Sequence, residues 1–268
     1  MRFHELTGTR QALDESIELL SSALWSERLG LDVAGWTHGL RHALRARYDL
    51  AGRRADLDKA VTAGARLRRL ALAMPPDKCA AWLSECADDL KERAESRSGE
   101  PGAVADTDAE VDLRRQAVEI APAGYRDPGG LSANLGTALT RRAVLAVDAD
   151  DLDRAGTDLQ AAVTALRAAA EYAATGHPYA FKIFWQLAQA LGLLAAYTGD
   201  QALLDEAITA SKRSRAFSSR GEAADAVSKQ LAALAAESGW HGVVLMRRAG
   251  TNPGAMAAGI WLLRQAID

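Results

Sequence analysis

Apolar residues four apart recur along most of the chain, and they recur as paired stripes. Trp36, Leu40 and Leu44 mark one face of a helix that should end at Gly52. Leu57 and Ala60 mark the facing side of a second helix. A spacing of four keeps side chains on one side of an α-helix, and glycine supplies the left-handed conformation that closes one. Trp82, Cys86 and Leu90 repeat the first stripe, with Asp106-Thr107-Asp108 standing where Asp56-Leu57-Asp58 stood. Leu131, Leu135 and Leu139 repeat it ahead of Asp151-Leu152-Asp153 and Ala155, and Ile183, Leu187 and Leu191 ahead of Leu204-Asp205 and Ala207. Leu40 and Leu57, Leu135 and Leu152, and Leu187 and Leu204 are each 17 apart. Tandem helix hairpins follow: an all-α chain, an α-solenoid of antiparallel helix pairs with about 11 helices.

The same register divides the chain. A repeat array spans 1–250, with a half repeat at 1–30, repeats at 31–76, 77–122, 127–176, 177–218 and 219–250, and a C-terminal capping helix at 251–268. Matching Gly8 to Gly52 and Leu13 to Leu57 makes the first residues the last turn of a first helix, closed by a turn at Gly8. Either the array starts upstream of residue 1, or helix 10–23 is an unusual cap whose stripe of Leu13, Ile17 and Leu20 is open to self-association. Pro75-Pro76 and Pro122 close their units. The segment RSGEPGAVAD holds four more residues than the turn at Gly52 and reads as a flexible loop. Val227 and Gly239 keep the spacing of Leu187 and Gly199 in a weaker sixth repeat, and residues 240–254 have no clear pattern.

The aspartates Asp14, Asp58, Asp108, Asp153 and Asp205 are 44, 50, 45 and 52 residues apart. That period exceeds the roughly 34 residues of a minimal tetratricopeptide repeat and overlaps the roughly 40–47 of HEAT and armadillo repeats. The glycine at the intra-repeat turn and the small residue early in the second helix (Ala60, Ala155, Ala207) favour the tetratricopeptide type. SANLGTALTRR at 132–142 and DLDRA at 151–155 resemble the long-period tetratricopeptide arrays found beside caspase-like CHAT peptidase domains. The resemblance, over roughly residues 2–240, implies a right-handed superhelix acting as a sensor or docking module for such a protease. The peptidase itself needs a β-rich domain with a His–Cys pair, and nothing after Gly239 is long enough to hold one.

Composition narrows the function. Of 268 residues 49% are apolar, 25% charged and only 6% aromatic, so Ala and Leu must build the core of a folded, water-exposed protein. A net charge of −3 gives no general attraction to nucleic acid or anionic membrane. No apolar run is long enough to span a bilayer, and two cysteines make no disulfide framework, so a reducing cytoplasm is the default. The Arg, Ala and Gly bias fits a high-GC bacterial genome.

Little of the chain reads as chemistry. Cys86 occupies a stripe position, where a thiol packs as a small apolar group, and no His in that repeat could activate it. His38 and His42, four apart, could share a metal, but HGLRH lacks the Glu of the metalloprotease helix, and Arg41 and Arg45 would repel a cation. A polar binding face is the preferred reading, with no metal, cofactor or catalytic residue assigned. No phosphate-binding glycine motif is present.

In tetratricopeptide-like arrays the first helices line a concave groove. Counting from the middle stripe residue assigns that groove His38, His42 and Arg45; Glu85, Asp88 and Lys91; Asn134, Thr137, Thr140 and Arg141; and Trp185, Gln186 and Gln189. The expected role is a non-catalytic scaffold for a protein or extended peptide, with Trp185 as an aromatic anchor. The alternatives are an ordinary solvated face, or the sensor fragment of a CHAT protease system. Only Asn134 matches the Asn of the general motif, so the two-Lys, two-Asn clamp of chaperone-binding arrays is not reconstructed.

Overall fold

A computed structural model of the chain describes residues 3–25, 32–173, 177–218 and 252–265. These form ten helices and no strand: α1 (Phe3–Trp25), α2 (Val33–Ala51), α3 (Arg54–Ala71), α4 (Pro76–Ser96), α5 (Pro101–Ile120), α6 (Pro128–Asp148), α7 (Leu152–Ala173), α8 (Ala180–Thr198), α9 (Gln201–Ser218) and α10 (Pro253–Gln265). They belong to two compact units, Met1–Tyr125 and Arg126–Asp268. The expected sixth repeat at 219–250 lies outside the described residues.

Local chemistry sets the helix ends. Asp32 accepts a hydrogen bond from the Gly35 amide at 2.8 Å, and Asp127 does the same for Gly130 at 2.8 Å, so two first helices begin under the same carboxylate cap. Pro76, Pro101 and Pro128 begin α4, α5 and α6, where the missing N–H costs nothing. Proline here starts the next helix as much as it ends the previous one. Gly52 and Gly199 close α2 and α8 in the left-handed conformation, at φ 66° and 74°. In the third hairpin Asp150 takes that conformation, at φ 65°.

Two sequence expectations fail in instructive ways. The turn at Gly8 is not made, and α1 runs unbroken through it; one glycine costs a helix only about 1 kcal/mol. The supposed flexible loop after α4 is largely helix, because PGAVAD forms the first turns of α5. The connection after α4, residues 97–100, is two residues longer than that after α2, residues 52–53, and the other added residues are helix.

In the first unit each helix packs on the next, from α1 to α5. Leu57, Ala60, Leu67, Leu83 and Val111 are almost wholly buried, and each large aliphatic side chain contributes about 1.5–3 kcal/mol. Trp36 and Leu40, expected in the stacking core, are only half-buried. Leu40 lines a groove of about 510 Å³ with Ile17, Leu24 and Leu44, between α1, α2 and α3.

Guanidinium groups tie the hairpins together. Arg47 holds both oxygens of Asp56 on its own second helix, at 2.9 and 2.6 Å, and reaches back to Asp14 on α1 at 2.5 Å. Arg93 repeats the arrangement with Asp106 at 2.8 and 2.5 Å and with Asp58 at 3.5 Å. Two of the aspartates that mark the repeat in the sequence, Asp14 and Asp58, are thus acceptors in a ladder whose bidentate partners are Asp56 and Asp106. In the second unit Arg142 holds Asp158 the same way, at 2.8 and 2.7 Å. The equivalence of Asp151-Leu152-Asp153 with Asp56-Leu57-Asp58 is therefore corrected, since Asp158 does the work of Asp56.

The second unit packs α6 on α7, α7 on α8 and α8 on α9, with α10 laid on α8 and α9. A β-carbon at Gly192 would strike Trp261 and Leu262 of α10, so this glycine lets the terminal helix approach. Leu194 stands where the other hairpins carry the ladder arginine, and it is buried. No helix among the described residues is long and apolar enough to cross a membrane.

Arg93→Ala should leave the nearly buried Asp106 carboxylate with only the longer contact to Arg97 at 3.7 Å and lower stability by about 2 kcal/mol in urea unfolding followed by circular dichroism. Arg115→Ala, in an exposed i,i+3 pair, should stay within about 0.5 kcal/mol.

Candidate functional site

The first helices of neighbouring hairpins in the first unit, α2 and α4, meet through charge. Arg41 and Arg45 are four apart on α2, and Glu85 and Asp89 four apart on α4, so each pair shares a face. Arg41 donates from Nε to Asp89 at 2.5 Å, from Nη1 to Glu85 Oε2 at 2.9 Å, and from Nη2 to the Glu85 carbonyl. Arg45 donates to Asp49 at 2.9 Å, Glu92 at 3.1 Å and Asp89 at 3.5 Å. The Tyr48 hydroxyl donates to Glu92 at 3.3 Å.

The side chains of Arg41 and Asp89 are 4% and 1% exposed, so neither charge could stand without the other. Burial pushes the Asp89 carboxyl above its ordinary value, with the Arg41 and Arg45 charges pulling against it. Burial works against the Arg41 charge as well, but Asp89 and Glu85 prevail and hold it more firmly protonated.

At one end of this seam three donor atoms converge. His38 Nε2 lies 2.8 Å from Glu85 Oε2, His42 Nε2 lies 3.0 Å from the same oxygen, and the two nitrogens are 3.1 Å apart. His38 stacks on Trp82 with ring centroids 4.7 Å apart and planes 21° apart. Lys78 Nζ sits 4.6 Å from the Trp82 centroid. Burial pulls the His38 imidazole below its ordinary value, against the raising effect of Glu85. Burial would raise Glu85, but the His38 hydrogen bond and the Arg41 charge hold its carboxyl below the usual range. Among the described residues these three side chains form the cluster able to hold a metal ion.

The other groove residues distribute differently from the sequence count. Asp88 accepts from Arg114 of α5 at 2.8 Å, so it serves its own hairpin. Arg45 belongs to the α2–α4 seam. Lys91 stays near the surface, 3.8 Å from Glu95. On α6, Asn134 is exposed and Arg141 half-buried, while Thr137 and Thr140 donate to the Ala133 and Gly136 carbonyls of their own helix. Trp185 and Gln186 on α8 are half-buried, and Gln189 is buried. An accessible Gln189 is therefore corrected, while Trp185 is only partly exposed. The cause is the burial of α8 on nearly every side, against α6, α7, α9 and α10.

Sequence reasoning passed over Arg41, Asp89, Glu92 and Trp82 as site residues. A signal was present: two arginines four apart and two acids four apart, both pairs offset by 44 residues, nearly the 46 that separate Trp36 from Trp82. Arg114 and Glu110 on α5, four residues apart, also pair at 2.9 Å with both side chains buried.

No family model and no curated protein matches the chain. Among solved structures, BtubC (BKLC) from P. vanneervenii aligns over 97% of this chain and 90% of its own, at 15% identity and a TM-score of 0.43. A structure described as DHF58 filament aligns over 82% of this chain and 96% of its own, at 18% identity and 0.36. A circular tandem repeat protein aligns over 98% of this chain and 73% of its own, at 18% identity and 0.29. At these scores the fold assignment rests on the helices themselves.

Cys79 and Cys86 are both buried, and burial pushes the Cys86 thiol up to about 12. Neither should react with iodoacetamide in the native protein between pH 7 and about 9, where an ordinary thiol of pKa near 8.5 already ionises. Both should be alkylated in urea, as read by intact-protein mass spectrometry.

Proposed function

We propose that this chain is a non-catalytic scaffold that binds an extended segment of a partner protein along first helices of its hairpins. The observation that carries the reading is the α2–α4 seam. Guanidinium and carboxylate groups there are fixed in place by one another, and His42, Asp49 and Lys91 stay open at its rim. Polar groups held before a ligand arrives lose little side-chain entropy on binding it, which is how such a face gains affinity. Extended peptides carry backbone donors and acceptors that a polar helix face can satisfy. The resemblance of residues 132–142 and 151–155 to CHAT-associated arrays supports the same class of role, docking or sensing, and leaves the partner unnamed.

The test is affinity capture with the full chain, followed by cross-linking to locate the bound segment. Cross-links should fall on α2 and α4. Reversing the rim charges together, Asp49→Lys with Lys91→Glu, should lower the affinity of the captured partner roughly tenfold while leaving the helical content unchanged. Cross-links confined to other helices, with full affinity retained by the double variant, would sink the reading.

A further inference from the structure

The three atoms His38 Nε2, His42 Nε2 and Glu85 Oε2 form a nearly equilateral triangle, with edges of 2.8, 3.0 and 3.1 Å. Hydrogen bonding alone satisfies such a triangle badly. If both imidazoles donate to Glu85, two N–H groups crowd each other across the third edge. If one donates to the other, an edge is left on which a nitrogen lone pair faces the carboxylate. A cation seated above the plane of the triangle satisfies all three donors at once. Donors bound at about 2.0–2.1 Å in a tetrahedral arrangement lie about 3.3 Å apart, so this triangle need open by only a few tenths of an ångström to hold the ion.

We propose that His38, His42 and Glu85 form a binding site for one divalent transition ion of the zinc class. Two imidazoles and one carboxylate are the borderline donors that such ions prefer, and a set of three leaves positions for water or a donor group brought by a ligand. Two histidines four apart on α2 present both rings from successive turns, and α4 supplies the third ligand from the neighbouring hairpin. The surroundings orient the set as outer-shell groups do. Trp82 stacks on the His38 ring, and Arg41 donates to Glu85 while its own charge is met by Asp89.

Charge also favours an ion. Two guanidinium groups, Arg41 and Arg45, are bonded to four carboxylates, those of Asp49, Glu85, Asp89 and Glu92. With neutral imidazoles the network carries a surplus of two negative charges, and Lys78, on the far partner Trp82, is the further cation in the cluster. The arginines that argue against a cation in the sequence are thus more than neutralised in the fold.

The site does not depend on the scaffold reading, and its test uses the metal alone. Tag-free, chelator-treated full-length protein is titrated with Zn²⁺ in a calorimeter, and in parallel with Co²⁺ to record its visible ligand-field bands. One ion per chain should bind with a dissociation constant in the micromolar range or below, and the cobalt spectrum should show nitrogen and oxygen ligation. His42→Ala, at a side chain 53% exposed, should leave the melting temperature of the metal-free protein unchanged. It should weaken binding by more than the roughly 10–100-fold that outer-shell partners alone are worth. Glu85→Gln should weaken it as well, and His177→Ala, in the second unit, should not. Absence of saturable 1:1 binding below about 100 μM, or 1:1 binding that survives both His42→Ala and Glu85→Gln, would overturn the assignment.

Discussion

Charge that must be buried in pairs governs this structure. Both first helices of the first unit, α2 and α4, carry an arginine, Arg47 or Arg93, that grips an aspartate early in its own second helix and reaches one on an earlier helix, Asp14 of α1 or Asp58 of α3. A buried ion pair adds little net stability, because the desolvation of both groups offsets their attraction, but breaking one is costly. Its effect is therefore on register. A hairpin that slid by one residue would leave Asp56 or Asp106 without its guanidinium. The Ala- and Leu-rich stripes cannot supply that discrimination, since small aliphatic side chains tolerate sliding better than a bidentate fork does. Hydrophobic burial makes the helices associate, and the arginines decide which residues meet.

The α2–α4 seam applies the same constraint to a different purpose. Arg41 and Asp89 lie as deep as core leucines, yet the network that neutralises them continues outward through Arg45 and Glu85 to His38 and His42. A rigid interior pair therefore anchors polar groups that water or a ligand can reach. In the second unit the corresponding positions are small or uncharged, such as Gly136, Ala138, Ala188 and Ala190, and α8 is covered by α10. The two units share a hairpin plan, and in the first a fully buried arginine–aspartate pair joins neighbouring first helices.

The hairpin plan was legible in the sequence because it rests on local periodicity. Stripes four apart, glycines at Gly52 and Gly199, and prolines between repeats all act through their own backbone. What was not legible depended on partners about a repeat apart. Arg41 reads as a solvated cation until α4 brings Asp89 against it, and Glu85 has no reason to join His38 and His42 until the helices lie side by side. Gln189 sat on a face that counting made open, and the packing of α8 among its neighbours buried it and half-buried Trp185. Asp88 stays exposed, and its partner Arg114 on α5 came into view only with the packed hairpin.

The spacing of the ladder pairs shows how a long-period repeat can vary without losing its geometry. Arginine and aspartate are 9 residues apart in the hairpin of Arg47, 13 in that of Arg93 and 16 in that of Arg142. The increments over the shortest hairpin are four and seven residues, close to one and two turns of an α-helix at about 3.6 residues per turn. The connection between the helices goes from two residues, 52–53, to four, 97–100, and three, 149–151, and the rest of the added chain is helix. The two arms change length unequally, yet guanidinium and carboxylate still meet, so the ion pair and not the length of the turn holds the register of the hairpin. The residues added after α4 are thus divided between connection and helix, and Asp158 succeeds Asp56 where the sequence pattern pointed to Asp151.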